Sequence, residues 1–240
     1  MQVQERGLII AIDGPAGAGK STVAKIIAKR LGYRYINTGD LYRYITYWAL
    51  QRRMNVKNCE EMDILSGEIA KKLKEMSQKE NSIEKYFSLD SDISDKIHSP
   101  NVDKNVSFVA QHQNVRKNLV SIQRFLAKNG STVIEGRDIG SVILPDADLK
   151  FFLTADEYTR ILRRYEELKE RNYTVSFQEV EKEMMKRDQI DSKREIAPLI
   201  KPVDAILIDT SNKNIHEVTE IVLKKIQTHL KRKIHGNHKS

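Results

Sequence analysis

Nine residues near the start, Gly14-Pro15-Ala16-Gly17-Ala18-Gly19-Lys20-Ser21-Thr22, constrain this chain more than any other feature. They fit G-x-x-x-x-G-K-[ST], a pattern that carries chemistry only when a strand precedes it and a helix follows. Both flanks comply. Gly7-Leu8-Ile9-Ile10-Ala11-Ile12-Asp13 is apolar without alternation, the signature of a parallel strand covered on both faces. From Ser21 onward Val23, Ala24, Ile27 and Leu31 recur at three- and four-residue spacing, and Gly32 stands where a helix would end. Glycines in such a turn let backbone N–H groups and the helix N-terminus close around a β-phosphate. Lys20 then reaches the β/γ oxygens and the Ser21 hydroxyl is placed to hold Mg²⁺. Residues Gly14 to Thr22 are therefore expected to bind a nucleoside triphosphate. A glycine turn that merely joins two elements would meet the spacing without the context.

Further apolar runs at 33–36, 132–134, 149–153 and 205–208 are separated by helical stretches, which predicts α/β architecture: three layers, a parallel sheet with helices on both faces. One domain spans 1–240. Within it, 57–105 turns to Lys, Glu, Ser and Asp and is expected to be an inserted subdomain, with Phe87-Ser88-Leu89-Asp90 its only hint of a strand. A charged helical stretch at 156–194 suits a mobile cover. No repeat of 20–50 residues is visible.

Composition limits the alternatives. With 240 residues, 40% hydrophobic and 31% charged, the chain has enough material for a packed core. No apolar run approaches the ~20 residues that span a bilayer, and Met-Gln-Val-Gln-Glu-Arg lacks the plan of a signal peptide, so a cytoplasmic location without membrane attachment is expected. A single cysteine, Cys59, excludes an internal disulfide and a cysteine-cluster zinc site. The net charge of +8 calls for an anionic partner that need not be nucleic acid. Part of the excess lies at the end, in Lys224, Lys225, Lys231, Arg232, Lys233 and Lys239, beside His229, His235 and His238. Residues 227–240 are expected to be a frayed, solvated tail.

What receives the phosphoryl group must be read from the arginines. Arg43 follows Asn37-Thr38-Gly39-Asp40-Leu41-Tyr42 just after the second strand, and Arg137 and Asp138 follow the strand ending at Glu135-Gly136. C-terminal strand ends in open α/β sheets face the ligand crevice, which puts these residues near the triphosphate. Arg187, Asp191 and Arg194 share a helix face at i, i+4 and i+7, a spacing that fits an ion-pair ladder as well as a binding site. Arg160, Arg163 and Arg164 open the charged cover, where donors and exclusion of water would serve phosphoryl transfer.

Five segments together resemble the bacterial-type cytidylate kinases: Ile12 to Thr22; Thr38-Gly39 with Leu41-Tyr42-Arg43; Glu135-Gly136-Arg137-Asp138-Ile139-Gly140; Arg187-Asp188 with Asp191-Ser192 and Arg194; and Ala197-Pro198-Leu199 with Asp204-Ala205. The resemblance runs from about residue 8 to 226. It implies a phosphate-loop nucleoside-monophosphate kinase in which 57–105 binds the acceptor, 156–194 is the lid, ATP is the donor with Mg²⁺, and CMP or dCMP is the acceptor. It also implies that Thr38, Arg116, Asp138 and Arg194 read cytosine, that Arg43 and Arg137 hold the acceptor phosphate, and that Arg187 with Asp191 takes the sugar hydroxyls. Arg160 and Arg164 would close in with the lid, joining Lys20 and Arg137 in catalysis. A monomer with no nucleic-acid partner is expected. The chemistry of the base agrees: cytosine offers an amino donor to a carboxylate, where uracil presents a carbonyl.

The chain departs from the family pattern at Asn37, usually an acid, at Asp40, usually small, and at His98, usually arginine. Asp40 is expected to weaken acceptor binding if it faces the pocket, and His98 and Cys59 are expected to serve packing only. The rival readings are a kinase for another small acceptor such as UMP or shikimate, and a nucleotide-regulated nucleic-acid-binding protein.

Overall fold

The computed structural model describes residues 7–80 and 91–236. Five parallel strands, β1 (Ile9–Asp13), β2 (Arg34–Asn37), β3 (Thr132–Gly136), β4 (Leu149–Thr154) and β5 (Ile206–Asp209), form one sheet in the order β2-β3-β1-β4-β5. Each expected apolar run is a strand, shifted by a residue or two. The central strand β1 is buried throughout, which explains its lack of alternation. Its side chains still point to opposite faces. Ile10 and Ile12 join a core with Val23 and Ile27 of α1 (Lys20–Leu31) and Val222 and Ile226 of α9 (Ile215–Gly236). Ala11 faces the other core, with Ile45 of α2 (Thr38–Gln51), Leu65 of α3 (Cys59–Glu80) and Leu119 of α6 (Gln113–Ala127).

Between α3 and α6 lie α4 (Ser91–Ile97) and α5 (Pro100–Val109). Leu65 and Ile97 are buried in the same core as Leu119 and Ile134, so the described parts of the polar stretch 57–105 share the core of the sheet. Phe87-Ser88-Leu89-Asp90 lies outside the described residues.

The charged stretch after β4 is a pair of packed helices, α7 (Glu157–Glu170) and α8 (Phe177–Lys193). Each start is fixed locally. Asp156 accepts from the Thr159 amide, and Ser176 and Glu179 form a reciprocal capping box. Ile161, Leu168, Val180 and Met184 give the pair its own small core, against which Ala16 of the glycine turn packs.

At the other end the structure differs from the expected frayed tail. Helix α9 continues to Gly236, and Leu230 is partly buried against the α1 core. An apolar residue four positions beyond Ile226 keeps the stripe in phase for one further turn. His235 falls in that last turn; Lys239 and His238 lie outside the described residues. No described helix is long and apolar enough to cross a membrane.

Candidate active site

Every strand presents its C-terminal end to the same edge of the sheet, and the strand order reverses about β1, so a crevice opens where β1 gives way to the glycine turn. Here the backbone is shaped for an anion. Gly14 has φ +145°, and a Cβ on it would come within 1.9 Å of the Leu153 carbonyl oxygen. Helix α1 begins at Gly19 in the left-handed region, with no side-chain cap and no acid in its first turn. Its first N–H groups therefore remain available to phosphate. The Lys20 ammonium donates to the Pro15 carbonyl at 2.6 Å. Burial, then the neighbouring Arg137, pushes it well below its ordinary pKa, the state of a cation short of counter-charge.

The glycine turn forms one end of a cleft of about 180 Å³ lined by Ala16, Gly17, Lys20, Ser21, Thr38, Arg43, Arg116, Arg137, Asp138, Arg164, Arg187, Asp191 and Arg194, among others. Seven lysine and arginine side chains face it against four carboxylates, Glu135, Asp138, Glu167 and Asp191. A site so charged is built for a polyanion.

Asp138 follows β3, lines the cleft and is 5% exposed. Its carboxylate pairs with Arg116 of α6 and stands 3.5 Å from Arg194, the residue capping α8. Burial raises the Asp138 pKa against the pull of Arg116 and Arg194. Arg194 donates through Nε to the Ala197 carbonyl at 2.5 Å and keeps a buried Nη2 without a hydrogen-bond partner. Asp191, 3.8 Å from Arg194, accepts from Arg137 Nε at 3.0 Å and lies 3.9 Å from Arg187. Desolvation opposes the Asp191 charge, but these guanidiniums outweigh it and hold its pKa below the ordinary value. Thr38 is also in place, donating to the Glu135 carbonyl at 2.7 Å and so tying α2 to β3.

Arg160 is the exception among the catalytic candidates. It is buried but absent from the cleft wall, because it is spent on Asp188 of α8 and on the Ala155 and Ala16 carbonyls. It ties the helix pair to the glycine turn, with its own carbonyl oxygen 2.5 Å from where a Cβ on Gly17 would sit.

Two acids are new. Asp13 accepts from the Ile139 and Gly140 amides, and Asp103 of α5 receives Arg43, Arg164 and Arg187. Asp13 was visible in the sequence as the last strand residue. Asp103 lies in the polar stretch with no motif around it, 60 residues from Arg43, and no local spacing could have exposed it. The three departures from the family pattern are one chain: Asn37 donates to Asp40 at 2.9 Å, and His98 Nε2 lies 3.1 Å from the same carboxylate. Asn37 also caps α2 by accepting from Gly39. Asp40 thus has local partners, and His98 lines the cleft instead of serving packing alone.

Comparison with known proteins agrees with this arrangement. The family model described as cytidylate kinase matches residues 10–228. Cytidylate kinase of Oceanobacillus iheyensis is 45% identical over 222 residues, covering 92% of this chain and 95% of that protein. That of Clostridioides difficile is 46% identical over 220 residues, covering 91% and 98%. A crystal structure of an uncharacterized protein from Eubacterium ventriosum shares the fold, with a TM-score of 0.51 at 17% identity over 92% of this chain and 98% of that one. A match this long, carried through the glycine turn, the Gly136-Arg137-Asp138 corner and the face of α8, means that the chain belongs to the cytidylate kinase family.

Proposed function

We propose that the cleft transfers the γ-phosphoryl group of ATP to the phosphate of CMP or dCMP, with the glycine turn as donor site and Asp138, Arg116, Arg194 and Thr38 as the cytosine site. One observation carries this reading: Lys20 and Asp138 stand in the same cleft, with Arg137, Arg187, Arg43 and Arg164 also on its wall. An acceptor phosphate oxygen attacks the γ-phosphorus, the bond to the bridging β-γ oxygen breaks, and ADP and CDP leave. The attacking oxygen is already anionic, so no general base is required. Catalysis consists of alignment and of neutralising charge that spreads over the equatorial oxygens, the work assigned to Lys20, Arg137 and Arg164.

The donor set fits ATP and its metal: uncapped amides at the start of α1, an under-compensated Lys20 and an exposed Ser21 hydroxyl in the first helical turn. Ser21 would hold Mg²⁺, which supplies further charge neutralisation on the phosphates. Arg187 and Asp191 take the sugar, and Arg43 and Arg137 take the acceptor phosphate. Residues 57–105 serve as the acceptor-binding insert and 156–194 as the lid, with Arg160 steadying the lid on the glycine turn. We read the protein as a monomer that works in the cytoplasm, where its nucleotides are.

The test is an acceptor screen with ATP and Mg²⁺. CMP and dCMP are expected to turn over with kcat/KM at least ~100-fold above UMP, AMP and shikimate, since rejection leaves buried polar groups unpaired. Equal rates on UMP would overturn the assignment of Asp138.

A further inference from the structure

Three cleft arginines converge on a carboxylate that the reading above leaves unused. Asp103, on α5, accepts from Arg43 of α2 at 2.5 Å, from Arg164 of α7, and lies 3.5 Å from Arg187 of α8. Helix α2 and the α7–α8 pair, more than 100 residues apart in sequence, meet at one group on α5. Crowding like charges is costly in a buried place. Burial, then Arg137 and Arg43, brings the Arg187 pKa down to about 10. A carboxylate among them offsets that repulsion. Desolvation works against its own charge, yet Arg43, Arg164 and Arg187 prevail and hold Asp103 well below the usual carboxylate range.

The direction of approach decides what this carboxylate does. Arg164 and Arg187 line both the cleft and an adjoining cavity of about 210 Å³ between α5 and the lid helices, whereas Asp103 lines only the second cavity. It therefore reaches the guanidiniums from behind and leaves the cleft side open to a ligand. Arg187 keeps a buried Nε with no hydrogen-bond partner.

We propose that Asp103 is a positioning residue for the transfer: from α5 it gathers Arg43, Arg164 and Arg187 into one cluster and so latches the lid pair onto the acceptor insert when the cleft is closed. The inference rests on the assignment of Arg43 and Arg164 given above. A carboxylate that competed with the phosphate would have to stand in the cleft; this one stands behind it.

The test is steady-state kinetics of Asp103→Asn with CMP and ATP each varied, beside a melting curve. The kcat/KM for CMP is expected to fall at least ~10-fold through a higher KM and a lower kcat together, with KM for ATP within ~2-fold. Asp103→Glu keeps the charge one methylene further out, and is expected to shift the same parameters in the same direction by less. It carries the test if the Asn variant does not fold. Unchanged kinetics with a lowered melting point would make Asp103 structural only and overturn the proposal. A lower KM for CMP would make it a competitor and overturn it equally. Arg43→Ala, measured alongside, separates the two readings. If it raises KM for CMP while Asp103→Asn is silent, only the Asp103 inference falls. If it is itself silent, the acceptor-phosphate assignment falls.

Discussion

Asp13 holds Gly140: its carboxylate accepts from the Gly140 amide at 2.7 Å and from the adjacent Ile139 amide at 2.8 Å. The bond splices two halves of the cleft. Asp13 ends β1 and leads into the glycine turn, while Ile139–Ile143 is a π-type turn that follows Asp138. Burial pushes the Asp13 pKa up to about 6 from 3.8, against the two amide bonds. A carboxyl with a raised pKa in the folded state adds stability that is fully present below pH 3.8 and is lost as pH rises through about 6. Asp13→Asn does not titrate. Between pH 4 and pH 7 the wild type is therefore expected to lose ~3 kcal/mol relative to that variant in denaturant unfolding. A difference independent of pH would mean that the two amides keep Asp13 charged throughout.

Lys20→Ala is expected to lower kcat ~1,000-fold or more while the fold persists. Lys20 makes one hydrogen bond, to Pro15 in its own loop, and its buried charge opposes folding, so its loss removes little from the core. Circular dichroism and kcat on one preparation check both halves. Near-normal turnover would remove Lys20 from the transfer step.

Truncation after Ile226 is expected to leave kcat unchanged, since the cleft lies at the opposite end of the strands. The melting temperature is a different matter. Leu230 packs on the α1 core, and losing a half-buried leucine costs ~1 kcal/mol, or ~2–4 °C in a domain of this size. Truncation after Arg232 keeps Leu230 and is expected to melt with the full chain. Equal melting of both truncations would show that the last turns of α9 contribute nothing.

The parts legible in the sequence are those encoded by short-range pattern. The glycine turn between an apolar run and a helix stripe fixed β1 and α1, and the strand ends pointed to Arg43, Arg137 and Asp138, which line the cleft. The helical spacing of Arg187, Asp191 and Arg194 left an ion-pair ladder and a binding face equally open; the fold shows the ion pairs, on a face that lines the cleft. What the sequence withheld is what depends on distant partners. Arg160 looks like Arg164 along α7, yet one is tied to Asp188 and the other faces the cleft. Asp103 sits beside Val102 on a helix whose valine stripe reports packing and says nothing of the arginines that meet its carboxylate. Asn37, Asp40 and His98 read as three separate oddities, and only the fold reveals them as one hydrogen-bonded chain.

The most discriminating prediction concerns Asp138, and its geometry changes which substitution is informative. Asp138 is buried between Arg116 and Arg194, so Asp138→Ala would leave Arg116 without its carboxylate and Arg194 with Asp191 alone. Breaking a buried pair in this way costs ~3–5 kcal/mol of stability whatever the residue does for substrate. Asp138→Asn removes the same charge and turns one acceptor into an amide donor, but it keeps the volume and a carbonyl oxygen that still accepts from one guanidinium. If the carboxylate accepts from the cytosine amino group, that variant is expected to lose ~1.5–3 kcal/mol in kcat/KM for CMP, the scale of a charge-assisted hydrogen bond. UMP presents a carbonyl at the same place, which an amide donor suits better. Its kcat/KM is expected to hold or rise, so the CMP-to-UMP ratio falls by ~10-fold or more. Measuring both acceptors and a melting curve on the one variant separates the roles: equal loss on CMP and UMP with a lowered melting point would leave Asp138 as a counter-ion for Arg116 and Arg194 and nothing more.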